Sequence, residues 1–261
     1  MHVIRTTASR HSHRTAAAFQ QYVTGRRTDV AGAVFFLEAS DHLDAVCRIA
    51  ARGDVVVAPS PADPRGGATG AGGVPVVGYS GSWREPGDEI RLDGRHTFAL
   101  QDYVALPFLS ITGRVVVRQR TAKGIAAFLG DADTARYFGV LVSPLLSSAV
   151  MLDSGASFGR PRSADDALAR VHVTADGEYR DGADGLLLGR VGDARSEIEK
   201  TGAADGGRGR GFARIVDREL LEAELDRRPW FESYLAAIGV LRRGSLPARS
   251  IDLLASEPGR V

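Results

Sequence analysis

The stretch from Ala169 to Ala194, ARVHVTADGEYRDGADGLLLGRVGDA, is where the chain specifies its backbone most tightly. Val171 and Val173 alternate with polar residues, Asp176-Gly177 supplies a tight turn, and Asp184-Gly185 opens a second apolar run from Leu186 to Val191. The pattern predicts a compact β-meander. A meander ending in a half-apolar run leaves an edge strand able to accept a foreign chain by main-chain pairing, a binding chemistry that needs no catalytic side chain. The residues expected to line such a groove are Tyr179, Leu186, Leu188 and Arg190.

Three segments are expected. In residues 1–80, Val3 to Thr6 reads as a short strand and Ala16, Phe19 and Val23 as a helix stopped by Gly25. Ala33 to Leu37 reads as a buried strand, Ser40-Asp41 caps a helix carrying Leu43, Val46 and Cys47, and Val55 to Val57 is a further strand. Strand, helix and strand with short joints predict a parallel crossover. Residues 81–195 are mainly β, with an Asp93-Gly94 hairpin, strands over Tyr103 to Thr112 and Arg114 to Arg118, and two short helices from Thr121 and Asp133. Residues 196–261 are helical: a turn over Ser196 to Lys200, then a helix capped by Asp217 and one opened by Pro229. Among the aromatics of that last helix, Phe231 is expected to be exposed. The fold class is α/β, mixed: an N-terminal βαβ unit, a β-rich middle with the meander, and a helical C-terminus.

The 261 residues suffice for a sizeable core, and the apolar fraction of 44% with 25% charged residues excludes wholesale disorder. No apolar run is long enough to span a membrane, and MHVIRTTASRHSHR lacks an apolar signal core, so a cytoplasmic protein with no membrane partner is expected. A net charge of +1 argues against nucleic acid as a partner. Of 33 basic residues only Lys123 and Lys200 are lysine, which reads as the codon bias of a GC-rich bacterial genome. The single cysteine, Cys47, excludes an intramolecular disulfide and reads as a small buried apolar residue.

Catalytic motifs fail their context. GASFG, Gly155 to Gly159, matches the nucleophile elbow with Ser157 as nucleophile, but Arg160-Pro161-Arg162 stand where a helix must start. His172, the one downstream base, lies between two strand valines. Serine hydrolysis by Ser157 therefore stays an alternative reading, beside a Rossmann-like nucleotide site at GGATGAGG, where the dinucleotide register is absent. GGRGRG, Gly206 to Gly211, lacks the P-loop context, although Arg208 and Arg210 could hold an anion there. His11 and His13 find no further ligand at metal spacing, and Asp131 with Asp133 or Asp165 with Asp166 read as solvated acids. No cofactor and no metal are expected.

VHVTADGEYRDGADGLLLGRVGD, Val171 to Asp193, together with RPWFESYLAAIGVLRRG, Arg228 to Gly244, resembles the recognition proteins of bacterial daptide gene clusters, which make ribosomal peptides with modified C-termini. The resemblance implies a non-catalytic protein that binds a precursor (leader) peptide by β-augmentation. It also implies a partner dehydrogenase that performs the C-terminal oxidative decarboxylation. Such recognition elements resemble small winged-helix modules, much shorter than this chain.

Overall fold

The architecture is that of a computed structural model describing residues 3–60, 68–159, 168–204 and 208–244. The chain opens with one long helix, α1 (Val3–Thr24), so the strand expected over Val3 to Thr6 is instead its first turn. Neither Gly nor Pro interrupts residues 3–24, and a helix once nucleated propagates at little cost. Gly25 ends it in the left-handed conformation (φ 69°), its N–H bonded to the Gln21 carbonyl.

The expected crossover follows: β1 (Val34–Leu37), a 3-10 turn into α2 (Leu43–Ile49), and β2 (Val55–Pro59), with β1 and β2 parallel. Next come the two-residue β3 (Ala68–Thr69), β4 (Pro75–Gly81), the hairpin β5 (Glu89–Leu92) and β6 (His96–Asp102), and β7 (Val115–Arg118). A strand was expected over Tyr103 to Thr112. The chain forms a 3-10 segment over Tyr103–Phe108 instead, because Pro107 has no N–H for a ladder and Asp102 caps the Val104 N–H. The two short helices expected after Thr121 are one, α3 (Ala122–Phe138), capped by Thr121 on the Gly124 N–H and closed by left-handed Gly139.

β8 (Val150–Leu152) precedes the meander, which forms as the alternation predicts: β9 (Arg170–Val173), β10 (Glu178–Arg180) and β11 (Leu187–Arg190). The helices α4 (Arg195–Ala204), α5 (Arg218–Asp226) and α6 (Phe231–Gly244) complete the chain, and Asp217 caps α5 through the Glu219 and Leu220 N–H groups. The fold is mixed α/β with helices at the C-terminus, as expected.

All strands join one sheet in the order β11-β10-β9-β1-β2-β4-β5-β6-β7-β8, with β3 on β4; only β3, β5 and β10 run against the others. The sheet is wrapped around α1. Phe19, Tyr22 and Val23 of the helix pack against Phe36, Val57, Tyr79, Leu92, Leu100 and Val116, drawn from β1, β2, β4, β5, β6 and β7 in turn. The period of two in each strand sends the alternate residues outward, Phe35 and Leu37 under α2 and α4, Val115 and Val117 under α3, α5 and α6. Phe231 is buried, not exposed, because it meets the edge of Phe128 at 5.7 Å in the outer core. Phe108, Tyr137 and Phe138 are the aromatics that face solvent.

Candidate binding cleft at the open margin of the sheet

A sheet wrapped around a helix but not closed has two margins, and they differ. At β11 most outward groups already have partners within the chain. The Leu186 N–H donates to the Arg210 carbonyl at 2.8 Å, and the Arg190 N–H donates to the Asp193 carboxylate at 2.6 Å. Tyr179 is fully buried and Leu188 nearly so, both in the core under α4, whereas Arg190 is exposed and pairs with Glu178 at 3.2 Å. Burial pushes the Tyr179 hydroxyl up to about 12. Of the four residues expected to line a peptide groove, Leu186 and Leu188 flank a shallow depression of about 920 Å³ between β11 and α4, shared with Lys200 and Arg218. Tyr179 lies beneath it.

The opposite margin, β8, is different. Val115 N–H donates to the Ala149 carbonyl and Asp153 N–H to the Val117 carbonyl, both at 2.9 Å. The alternation of a parallel ladder therefore turns the Val150 carbonyl and both backbone groups of Leu152 away from β7, where no further strand among the described residues receives them; the two residues are 1% and 7% exposed, so these groups lie in the floor of the margin and not on its surface. Before and after this stretch the outward N–H groups are bonded, that of Val150 to the Ser147 carbonyl and that of Ser154 to the Val23 carbonyl.

Beside β8 lies a cleft of about 590 Å³ between α1 and α6, a volume in the ordinary range for ligand sites. Leu145, Leu235 and Ile238 give it an apolar wall, while Gln20 and Thr24 of α1 and four arginines, Arg26, Arg27, Arg114 and Arg242, give it a polar one. Arg242 donates from Nε to the Leu145 carbonyl at 2.5 Å, and Arg114 stands over the Phe98 ring at 5.5 Å. Burial, then the Arg26 charge, holds the Arg242 guanidinium below its ordinary basicity.

A buried polar chain fixes the geometry where the sheet fails to close. Arg118 of β7 pairs with Asp153 at 2.5 Å, and Arg170 of β9 pairs with Asp181 at 2.9 Å and approaches Asp153 at 3.6 Å. Arg170 also donates to the Ser154 hydroxyl and to the Tyr22 and Val23 carbonyls, so one guanidinium ties β9 to the ends of β8 and α1. Burial alone would lower the basicity of Arg118 and Arg170. Asp153 for the first, and Asp181 with Asp153 for the second, reverse that, and both sit above the ordinary arginine value. Next to this chain the Tyr22 hydroxyl meets His172 Nδ1, and His172 Nε2 meets Glu38 at 3.1 Å.

The other residues singled out by sequence are placed as follows. Ser157 Oγ accepts the Gly211 N–H at 3.1 Å, and both ring nitrogens of His172 are engaged by Tyr22 and Glu38, so His172 does not serve Ser157 as a base. Arg208 pairs with Asp226 and Arg210 with Asp181, so the arginines expected to hold an anion beside the glycine cluster hold internal carboxylates. His42 contacts the Ala175 carbonyl and His13 is exposed on α1. Cys47 is buried, and burial raises its thiol pKa. Asp131 accepts from the Tyr103 hydroxyl and Asp133 pairs with Arg228, while Asp165 and Asp166 lie outside the described residues. Among the described residues no cluster of His, Cys, Asp and Glu could hold a metal, and no helix is long and apolar enough to cross a membrane.

Sequence reasoning missed the β8 cleft. The signal that could have found it is Arg242, which falls four residues after Ile238 in the apolar stripe of α6, where a charge needs a reason. No protein-family model matches the chain, and neither a curated protein nor a solved structure matches it.

Proposed function

We propose that the protein is a non-catalytic recognition subunit of ribosomal peptide biosynthesis. It binds the leader of a precursor peptide as an added strand and serves a partner dehydrogenase that carries out the C-terminal oxidative decarboxylation. The observation that carries this reading is the cleft at the β8 margin, with one apolar and one polar wall and, in its floor, outward main-chain groups of the buried Val150 and Leu152 that no further described strand receives. Such a margin binds any extended chain through its backbone and selects among chains through alternate side chains. The resemblance of Val171 to Asp193 and Arg228 to Gly244 to daptide recognition proteins supports the biosynthetic setting. Solvent-facing Phe108, Tyr137 and Phe138 offer apolar surface for the partner subunit.

The test is calorimetric titration of the full chain with the leader of the precursor encoded in the same gene cluster, once with its natural backbone and once N-methylated at alternate residues. Binding that is lost on N-methylation, and lost when Gly239 on the cleft wall is replaced by Trp, is the expected result. Equal binding by the two peptides removes strand addition.

A further inference from the structure

The cleft beside β8 is electrostatically one-sided. None of its described lining residues is an Asp or Glu, yet four are arginines. Two of these are informative in detail. Arg242 is partly buried at the end of α6, its Nε held by the Leu145 carbonyl. Arg114, immediately before β7, is exposed, with the Phe98 ring at 5.5 Å and His96 Nδ1 at 3.5 Å. Among the described residues neither forms an ion pair with a carboxylate, whereas the fully buried guanidiniums are paired: Arg118 with Asp153, Arg170 and Arg210 with Asp181. A guanidinium withdrawn from water without a counter-charge is costly, and at the partly buried Arg242 a second arginine, Arg26, adds to that cost. An arrangement of this kind becomes favourable when an anion enters.

Resting on the peptide-binding reading above, we propose that the occupant of the cleft is an acidic extended peptide, whose carboxylate side chains meet Arg242 and Arg114. Charge complementarity selects this occupant over a neutral or basic strand, and the apolar wall of Leu145, Leu235 and Ile238 takes the side chains that alternate with the carboxylates. The planar guanidinium fork suits a carboxylate held in two-point contact.

The probe is a pair of fluorescein-labelled peptides of about eight residues, one alternating leucine with glutamate and one alternating leucine with glutamine, titrated against the full chain by anisotropy. The expected result is binding of the glutamate peptide at least about tenfold tighter than the glutamine peptide, an advantage reduced by added salt. In Arg242→Met and Arg114→Met proteins that advantage falls to near unity, while the glutamine peptide binds as before. Arg242→Lys, which keeps the charge in the same place, checks that the loss does not come from misfolding, and the far-UV spectrum of each variant is compared with that of the parent. Equal affinities for the two peptides overturn the acidic preference and leave strand addition standing. No binding of either peptide overturns both readings. Displacement of the glutamate peptide by inorganic phosphate at comparable concentration overturns the proposal in favour of a small-anion site.

Discussion

The Tyr22 hydroxyl lies 2.8 Å from Nδ1 of His172, and with Phe36 stacked on both rings the pair joins the central helix to β9. Both side chains are about 2% exposed, so the contact is made away from water. Tyr22→Phe keeps the ring and removes only the hydroxyl. It should lower the unfolding free energy by about 1–3 kcal/mol, the cost of leaving a buried imidazole nitrogen unsatisfied, read from urea titrations at constant m. An unchanged midpoint would show that His172 finds another partner.

Glu38 makes stability depend on acid. The His172 hydrogen bond first, then, against the opposing cost of burial, the His172 charge and the Ala175 N–H, hold its carboxyl at about 2 instead of the ordinary 4.5. Because the folded value is depressed, the contribution is complete above 4.5 and disappears as pH falls through 4.5 towards 2. Glu38→Gln should therefore flatten the stability profile across that window. A profile as steep as that of the parent protein assigns the acid sensitivity to other carboxylates.

Asp153 serves two buried guanidiniums at once, those of Arg118 and Arg170. Asp153→Ala leaves both without it and should cost about 3–5 kcal/mol. Arg227→Ala, on an exposed helical pair with Glu224, should cost no more than about 1 kcal/mol. Comparable losses in the two variants, measured by chemical denaturation, would contradict the assignment of the Asp153 chain as the clasp between β8 and β9.

Leu188 belongs to the core beneath α4, and Leu188→Ala should cost about 2–5 kcal/mol. Leu187, two-fifths exposed on the same strand, should tolerate alanine within about 0.5 kcal/mol. Thermal melts of the two variants separate a core role for Leu188 from a surface one.

Ser157 has a backbone N–H on its oxygen and, among the described residues, no imidazole or carboxylate hydrogen-bonded to it. A fluorophosphonate probe should leave it unlabelled at neutral pH, with intact mass as the readout. Stoichiometric labelling would reopen serine chemistry.

What was legible in the sequence was local. The meander could be read because Val171 and Val173 alternate and Asp176-Gly177 marks its first turn, and the crossover because Ser40 to Gly53 carries a helical stripe between two apolar runs. Asp217 as a cap was legible for the same reason, since its two acceptor bonds reach residues two and three positions on. The wrapped sheet was not legible. Its curl is held by Arg118 with Asp153 and by Arg170 with Val23, pairs separated by 35 and 147 residues, and no local period encodes them. The cleft is harder still, because Arg26, Arg114, Val150 and Arg242 come from four distant places and meet only after the sheet has curled.

The position of α1 inside the sheet also sets a timetable. Tyr22 leaves the ribosome 150 residues ahead of His172. At about 5–20 residues per second its greasy side therefore waits roughly 8 to 30 s for the last strand that encloses it. A chain that stops before Arg170 therefore lacks β9, and the side of α1 that β9 covers stays bare.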